Sequence, residues 1–505
     1  MSQASIEPPG PGSAGLSYGQ IFRATFFTGG ASIITIALGI VRTKCMALLV
    51  GPSGVGLLVT YNTIIGFAST VAEMGISNSG VRHIADAAGS GDVRRIARTA
   101  RTLRWTATAL GFVGWLVLAA LSQRASVLTF GNGSHAAAIA ALGLTVFFGV
   151  MAIGNAAFIQ GLRRVRDLAR LRMFEALAGT AFGLPLIWWL HERGIVPLLV
   201  VASATSWFVT LWVARRVLTE SVTVTWAETV AGSRSLLALG SVFMGMSVVG
   251  SGAIYVESIM IVRQVGLNAA GHYAAAYSLA GVYTGFVLAA MGTDLLPRLR
   301  MEIKNHRNVN QLVNEQTEIG LLLGVPGILA TLVFAPGAIR LFYAAGFDGA
   351  VEVLRWQVLG IMGRVISWPM ASLMVANGHG PTCLGLQIVS DLVHLLLVWI
   401  GLQQFGVVGA GMAFAGWYVF HAILLRRVAG AMTGFKWSAV NVSLLSWMLP
   451  LVVAVFLVMN FLKSNWSWVF GGAATVLGGW YCSKGLLRRF PAEYFAKVPF
   501  LRRWL

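Results

Sequence analysis

Apolar runs long enough to cross a bilayer follow one another along this chain from residue 21 to residue 486, parted only by short polar segments. A helix needs about 20 consecutive apolar residues to span the hydrocarbon, whereas a barrel strand needs about 10. In lipid every backbone polar group must be bonded internally, so runs of this length predict helices. Fourteen are read, at residues 21–50, 55–85, 102–121, 137–160, 173–191, 196–213, 236–263, 269–296, 318–344, 353–376, 384–402, 407–425, 442–462 and 466–486. The chain is 57% apolar and only 11% charged, against about 25% charged in a soluble domain. The expected class is an all-α integral membrane protein with about fourteen transmembrane helices.

The net charge of +19 reads as a topology signal. Basic residues collect in every second loop: Arg94, Arg95, Arg98 and Arg101, then Arg163, Arg164 and Arg166, then Arg298, Arg300 and Lys304, then Arg426 and Arg427. The loops between offer Arg124, Arg193, Lys463 and little else. Cytoplasmic loops carry such an excess, so both termini are expected in the cytoplasm. Topology accounts for the charge without nucleic acid, and membrane lipids are the expected contact of the basic face. The loop at 377–382 is hardly basic and is the weak point of this assignment. Cys45, Cys383 and Cys482 lie far apart, with neither metal-ligand spacing nor a pairing framework.

The organisation follows from the loops. Residues 1–18 lack the basic stretch of a cleavable signal and read as a disordered cytoplasmic tail. An N-lobe at 19–217 and a C-lobe at 236–430, six spans each, are joined by a cytoplasmic linker at 218–235. An extra helical pair at 431–487 and a basic cytoplasmic tail at 488–505 complete the plan. The lobes repeat. Val50-Gly51 with Gly56 recurs as Val265-Gly266 with Gly271, and Gln160-Gly161 takes the same relative place as Asn377-Gly378. Val213-Ala214-Arg215-Arg216-Val217 resembles Leu424-Leu425-Arg426-Arg427-Val428. Two pseudo-symmetric lobes with an even number of spans insert in the same orientation. Their axis then lies along the membrane normal, with a central cavity between them.

Charges inside such runs are expensive and survive where they face a bundle interior or a wet cavity. Arg364 sits midway along 353–376, too deep to snorkel, flanked by Gly360 and Gly363. Its alternatives are a phosphate-binding guanidinium and a structural ion pair. Arg42 and Lys44 lie nearer the end of their run, where cavity lining and snorkelling compete, and Arg263 ends the seventh run. Glu73 and Glu257 balance these cations or carry a coupling ion. Asp391 and His394, three residues apart on one helix face, suggest a proton relay or a local bonded pair. No phosphate-binding Gly-rich loop, nucleophile elbow or zinc-protease helix is present, and no segment outside the runs is long enough for a catalytic domain. An enzyme is not expected. No cofactor is expected either, with H+ or Na+ as possible coupling ions.

The hairpin Ala47-Leu48-Leu49-Val50-Gly51-Pro52-Ser53-Gly54-Val55-Gly56, followed by Glu73-Met74-Gly75-Ile76 and Val81-Arg82-His83-Ile84-Ala85, resembles the start of Wzx-type O-antigen flippases. These belong to the multidrug/oligosaccharidyl-lipid/polysaccharide (MOP) superfamily. Leu295-Leu296-Pro297-Arg298-Leu299 and Trp356-Gln357-Val358-Leu359-Gly360 resemble later segments of the same family, and the likeness covers residues 18 to 430. The resemblance implies transport of undecaprenyl-pyrophosphate-linked oligosaccharide, an O-antigen or exopolysaccharide repeat unit. Movement runs from the cytoplasmic to the periplasmic leaflet of a bacterial inner membrane. It implies a cationic cavity as the substrate site, with Lys44, Arg263 and Arg364 as its matching positions; Arg42 rests on its depth alone. Partners would be the lipid-linked oligosaccharide and the polymerase and glycosyltransferase machinery of polysaccharide synthesis. The family's usual plan has twelve spans, so the last pair departs from it. The alternatives are a drug or metabolite antiporter of the same superfamily and a membrane-embedded polysaccharide ligase or polymerase.

Overall fold

The computed structural model describes the backbone of residues 18–217, 225–378, 380–462 and 464–489. Side chains are described from residue 38 onward, except at 165, 242, 243, 283, 286, 289, 290 and 292–294. The expected tails at 1–17 and 490–505, and positions 218–224 of the expected linker, lie outside the described residues. The helices are α1 (Tyr18–Glu73), α2 (Ile76–Gly89), α3 (Val93–Phe130), α4 (Ala136–Gly161), α5 (Val165–Leu190), α6 (Ile195–Val217) and α7 (Trp226–Gln264). They continue as α8 (Leu267–Glu302), α9 (His306–Phe342), α10 (Ala350–Ala376), α11 (Gly380–Phe405), α12 (Val407–Thr433), α13 (Ala439–Phe461) and α14 (Asn465–Leu487). No strand occurs among the described residues.

The chain is an all-helical integral membrane protein. Ten stretches among the described residues are long and apolar enough to cross a membrane, and one of them, Arg166–Val217, holds two of the expected runs. The expected runs fall on these helices, which extend beyond them by up to twelve residues, as α9 does at its start. Two differences matter. The run at 55–85 is not continuous: it breaks at Met74 and Gly75, both at positive φ, so α2 starts in a new direction. Residues 226–235, expected in the linker, are the first turns of α7.

By packing, the chain divides into two compact units, Met1–Gly54 with Leu58–Ile259 and Val55–Leu57 with Met260–Leu505. The first unit takes in the start of α7 because Gly240 and Gly75 have no side chains. A Cβ on Gly75 would lie 2.2 Å from the Gly240 carbonyl oxygen, so only glycine admits that approach. Inside this unit α4 packs against α2, α3 and α6. Inside the second, α10 packs against α8, α9 and α12. Both central helices are the fourth span of their repeat.

Backbone turns carry the repeat further than sequence does. Gly51 (φ 63°, ψ −170°) and Gly266 (φ 99°, ψ 176°) break the chain in the same non-helical conformation, which a side chain resists. Later positive-φ turns also correspond: Arg163 with Gly378, and His191 with Gly406. In those two pairs the first unit tolerates side chains where the second uses glycine.

The extra pair docks on α9. Gly471, Gly478 and Gly485 form a stripe on α14, where added Cβ atoms would lie 2.7, 2.8 and 2.9 Å from Val333, Leu329 and Leu322. Small residues let helices approach where lipid offers no hydrophobic drive. Polar ties hold the ends. Asn314 Oδ1 accepts from the Ser438 N–H at 2.8 Å and from Asn441 Nδ2 at 3.0 Å, and Glu318 pairs with Arg489.

Candidate functional site

In the second unit Arg364 lies on α10 and Asp391 and His394 on α11, both helices packed against α12. Two glycines make the approach possible. A Cβ on Gly360 would lie 2.7 Å from the Phe414 ring, and one on Gly363 would lie 3.0 Å from Tyr418. With α10 and α12 so close, Arg364 is carried against the Tyr418 ring, its guanidinium carbon 5.9 Å from the centroid. Arg364 is half-buried. Among the described residues no carboxylate pairs with it, so the ion-pair alternative finds no partner there. A cation over an aromatic face is worth up to about 2 kcal/mol when desolvated. That contact holds the guanidinium without using its donors, which remain available to an anion.

Tyr418 is the meeting point of the cluster. It is buried and lies within electrostatic reach of Arg364, Tyr277 and Asp391. Asp391 is 6% exposed, and both its oxygens accept from Gln387 Nε2 at 2.8 Å. That bond spans one turn of α11, the i, i+4 spacing at which side chains meet. His394, also 6% exposed, stacks on Trp417 with centroids 4.3 Å apart. The Trp417 indole donates to Ser390 Oγ at 2.8 Å, and Ser390 meets His421 Nδ1 at 2.8 Å. A carboxylate, two imidazoles and a hydroxyl thus sit one helix away from a fixed cation. The set can exchange a proton or hold a small cation beside a phosphate-binding group.

The remaining candidates lie elsewhere. Arg42 is exposed on α1 and reaches toward Gly179 of α5; Lys44 is half-buried. Glu73 ends α1, half-buried, and accepts from Ser77 Oγ at 3.3 Å across the helix break. Glu257 is buried on α7, two residues from Tyr255, which stacks on Phe67 and bonds to Thr129 Oγ1 at 2.8 Å. Arg263 is exposed at the end of α7. Of the eight candidates, three come together: Arg364, Asp391 and His394. Gln387, Trp417, Tyr418 and His421 were not among the expected site residues. The glycines flanking Arg364 were the available signal for Tyr418, since they mark where another helix must approach. No group of three or more His, Cys, Asp or Glu able to hold a metal occurs among the described residues.

Comparisons with known proteins agree with this plan. The profile of a family described as polysaccharide biosynthesis protein matches residues 21–301. The chain is 22% identical over 427 residues to the lipid III flippase of Escherichia coli (strain K12), covering 80% of this chain and 96% of that one. It is 21% identical over 399 residues to the lipopolysaccharide biosynthesis protein WzxC of Escherichia coli (strain K12), covering 78% and 77%. Among solved structures, the lipid II flippase MurJ in an inward closed conformation shares the fold with a TM-score of 0.69 at 14% identity, over 92% of this chain and 99% of that one. With more than half of its length matched by one family profile, the chain belongs to the polysaccharide biosynthesis protein family.

Proposed function

We propose that this protein is a flippase for undecaprenyl-pyrophosphate-linked oligosaccharide, an O-antigen or exopolysaccharide repeat unit. It works by alternating access, from the cytoplasmic to the periplasmic leaflet of a bacterial inner membrane, with both termini in the cytoplasm. The observation that carries this reading is Arg364. It is a permanent cation inside an apolar helix, held by an aromatic ring with no carboxylate partner among the described residues. A planar guanidinium gives paired hydrogen bonds to phosphate oxygens, which an ammonium does not. A cationic drug would be repelled by such a group, so the antiporter alternative fits it poorly. The flippase names of the 22% identical relative and of the structural neighbour point to the same substrate class.

Lys44, Arg42 and Arg263 are the further cations of the proposed substrate path. The Asp391–His394 cluster is the proposed site for the coupling ion, H+ or Na+. Moving one charge across 100 mV is worth about 2.3 kcal/mol, enough to reset a carrier. Glycosyltransferases would supply the substrate and a polymerase would take it on the far side.

The test is translocation. Full-length protein in proteoliposomes should carry fluorescent undecaprenyl-diphosphate oligosaccharide between leaflets, seen as loss of quenching by an outside reductant. Translocation no faster than in protein-free vesicles, with or without an imposed potential or pH gradient, would remove the flippase reading.

A further inference from the structure

Two grooves in the first unit lie end to end along α3. The one near the basic end of α3 has a volume of about 620 Å³ and runs between Trp105 and Leu110 of α3 and Trp226, Val230 and Arg234 of α7. The other, of about 510 Å³, runs from Leu110 past Val113 and Val117 to Arg124 of α3, with Phe67 of α1 and Tyr255 of α7 on its far wall. Leu110 lines both, so they form one track. Its walls are open: Trp105, Val113, Val117 and Val230 are all about half exposed.

The track is almost wholly apolar between its ends, with a cation at each. Arg234 stands at the basic-loop end, beside the Thr106–Ser233 hydroxyl contact of 2.7 Å that joins α3 to α7 there. Arg124 stands at the other end. Neither is paired with a carboxylate among the described residues, and no acidic side chain lines either groove. From Trp105 to Arg124 the helix rises about 29 Å at 1.5 Å per residue. That matches the roughly 30 Å of a bilayer's hydrocarbon. A phospholipid chain reaches only to the midplane. An apolar track through both leaflets, ending in a cation at each interface, suits a longer single chain that carries phosphate at one end.

We infer that the α3–α7 track holds the polyisoprenoid tail of the lipid-linked substrate while its head group crosses, with Arg234 and Arg124 meeting the phosphates at the start and the end. The inference rests on the flippase reading and names a site outside the Arg364 cluster. It explains why the two cations sit on one track, one on α7 and one on α3, at its opposite ends.

The test uses full-length protein in nanodiscs and a polyprenyl diphosphate with a diazirine in mid-chain. After illumination, label should fall on α3 and α7 residues of the track. Unlabelled polyprenyl diphosphate should compete, and phosphatidylglycerol at the same mole fraction should not. Arg124→Gln and Arg234→Gln should each lower labelling about fivefold, the worth of one interfacial cation. Val113→Trp with Val117→Trp should fill the track and remove labelling, while binding of short-chain geranyl diphosphate and the melting temperature stay unchanged. Label on other helices, or equal competition by phosphatidylglycerol, would overturn the inference and mark a site for bulk lipid. Translocation without track labelling sinks the tail site alone. Track labelling without translocation of the oligosaccharide sinks the flippase reading and leaves a tail site.

Discussion

Arg355 and Arg364 stand two and a half turns apart on the same helix, and the protein uses them in opposite ways. Arg355 is 9% exposed and spends its donors on backbone. Its Nε donates to the Leu332 carbonyl at 3.2 Å, and its Nη1 donates to the Met459 carbonyl at 2.6 Å and to Asn460 Oδ1 at 3.1 Å. These carbonyls need a partner. Residue 336, which would close the α9 hydrogen bond to Leu332, is proline and has no N–H. Met459 lies in the last turn of α13, where carbonyls have no partner within the helix. Arg355 therefore repairs two helix defects and ties the extra pair to α9 and α10. Arg364 repairs nothing. Its neighbours are glycines and a tyrosine ring, and no carbonyl or carboxylate takes up its donors among the described residues. An intramembrane arginine alone does not mark a site; the state of its donors separates a structural cation from one that awaits a ligand.

The largest effect expected on stability comes from Arg355. Arg355→Ala strands buried carbonyls and should cost about 3 kcal/mol. It should also open the connection between α13 and α14, which follows Met459 and Asn460, to protease, measured by melting and limited digestion of the purified protein. Arg364→Ala should cost under about 1 kcal/mol of stability, within the cation–π range. Translocation should fall about thirtyfold with the loss of charge-assisted phosphate contacts. If Arg364→Ala proves the more destabilising of the two, the contrast between them is wrong.

Two smaller effects sharpen the contrast. Pro336→Ala restores an N–H for the Leu332 carbonyl, so in that background Arg355→Ala should cost about 1 kcal/mol less, as a double-mutant cycle would show. A response to pH is expected at His135. It lies outside the spans, accepts or donates at 2.8 Å with the Tyr61 hydroxyl, and is held below the ordinary imidazole value by burial. A depressed histidine favours the neutral ring in the fold. Its contribution is full above about pH 6.5 and is lost as pH falls from there through the folded value. Protection of the Gly131–His135 amides, measured as exchange relative to the intrinsic rate at each pH, should therefore fall between pH 7.5 and pH 5.

Much of the fold was legible because the bilayer simplifies the code. Run length gave the helices, and the recurrence of Val50-Gly51 as Val265-Gly266 announced a repeat that the backbone angles carry through. The break at Met74-Gly75 was not read, although the run turns polar there with Glu73, Ser77, Asn78, Ser79 and Arg82; the close approach of Gly240 that accompanies it is distant in sequence. Of the site, Arg364 was found by depth. Tyr418 and Trp417 were missed, since an aromatic in a membrane helix is unremarkable until its neighbour is known. Asp391 was read with His394 three residues on; its bond to Gln387, four residues back, was not foreseen. Depth did not single out Arg355, the third residue of its run, where snorkelling is open to a long side chain. Pro336 was the clue: a proline inside a spanning helix leaves a carbonyl that some donor must satisfy.

The most direct measurement is equilibrium binding of undecaprenyl diphosphate to the nanodisc-embedded protein, wild type beside Arg364→Ala, Arg364→Lys and Arg355→Lys. A guanidinium reserved for phosphate predicts weakest binding in Arg364→Ala, partial binding in Arg364→Lys and wild-type binding in Arg355→Lys, with Arg364→Ala still melting near the wild type. Wild-type affinity in Arg364→Ala would contradict it.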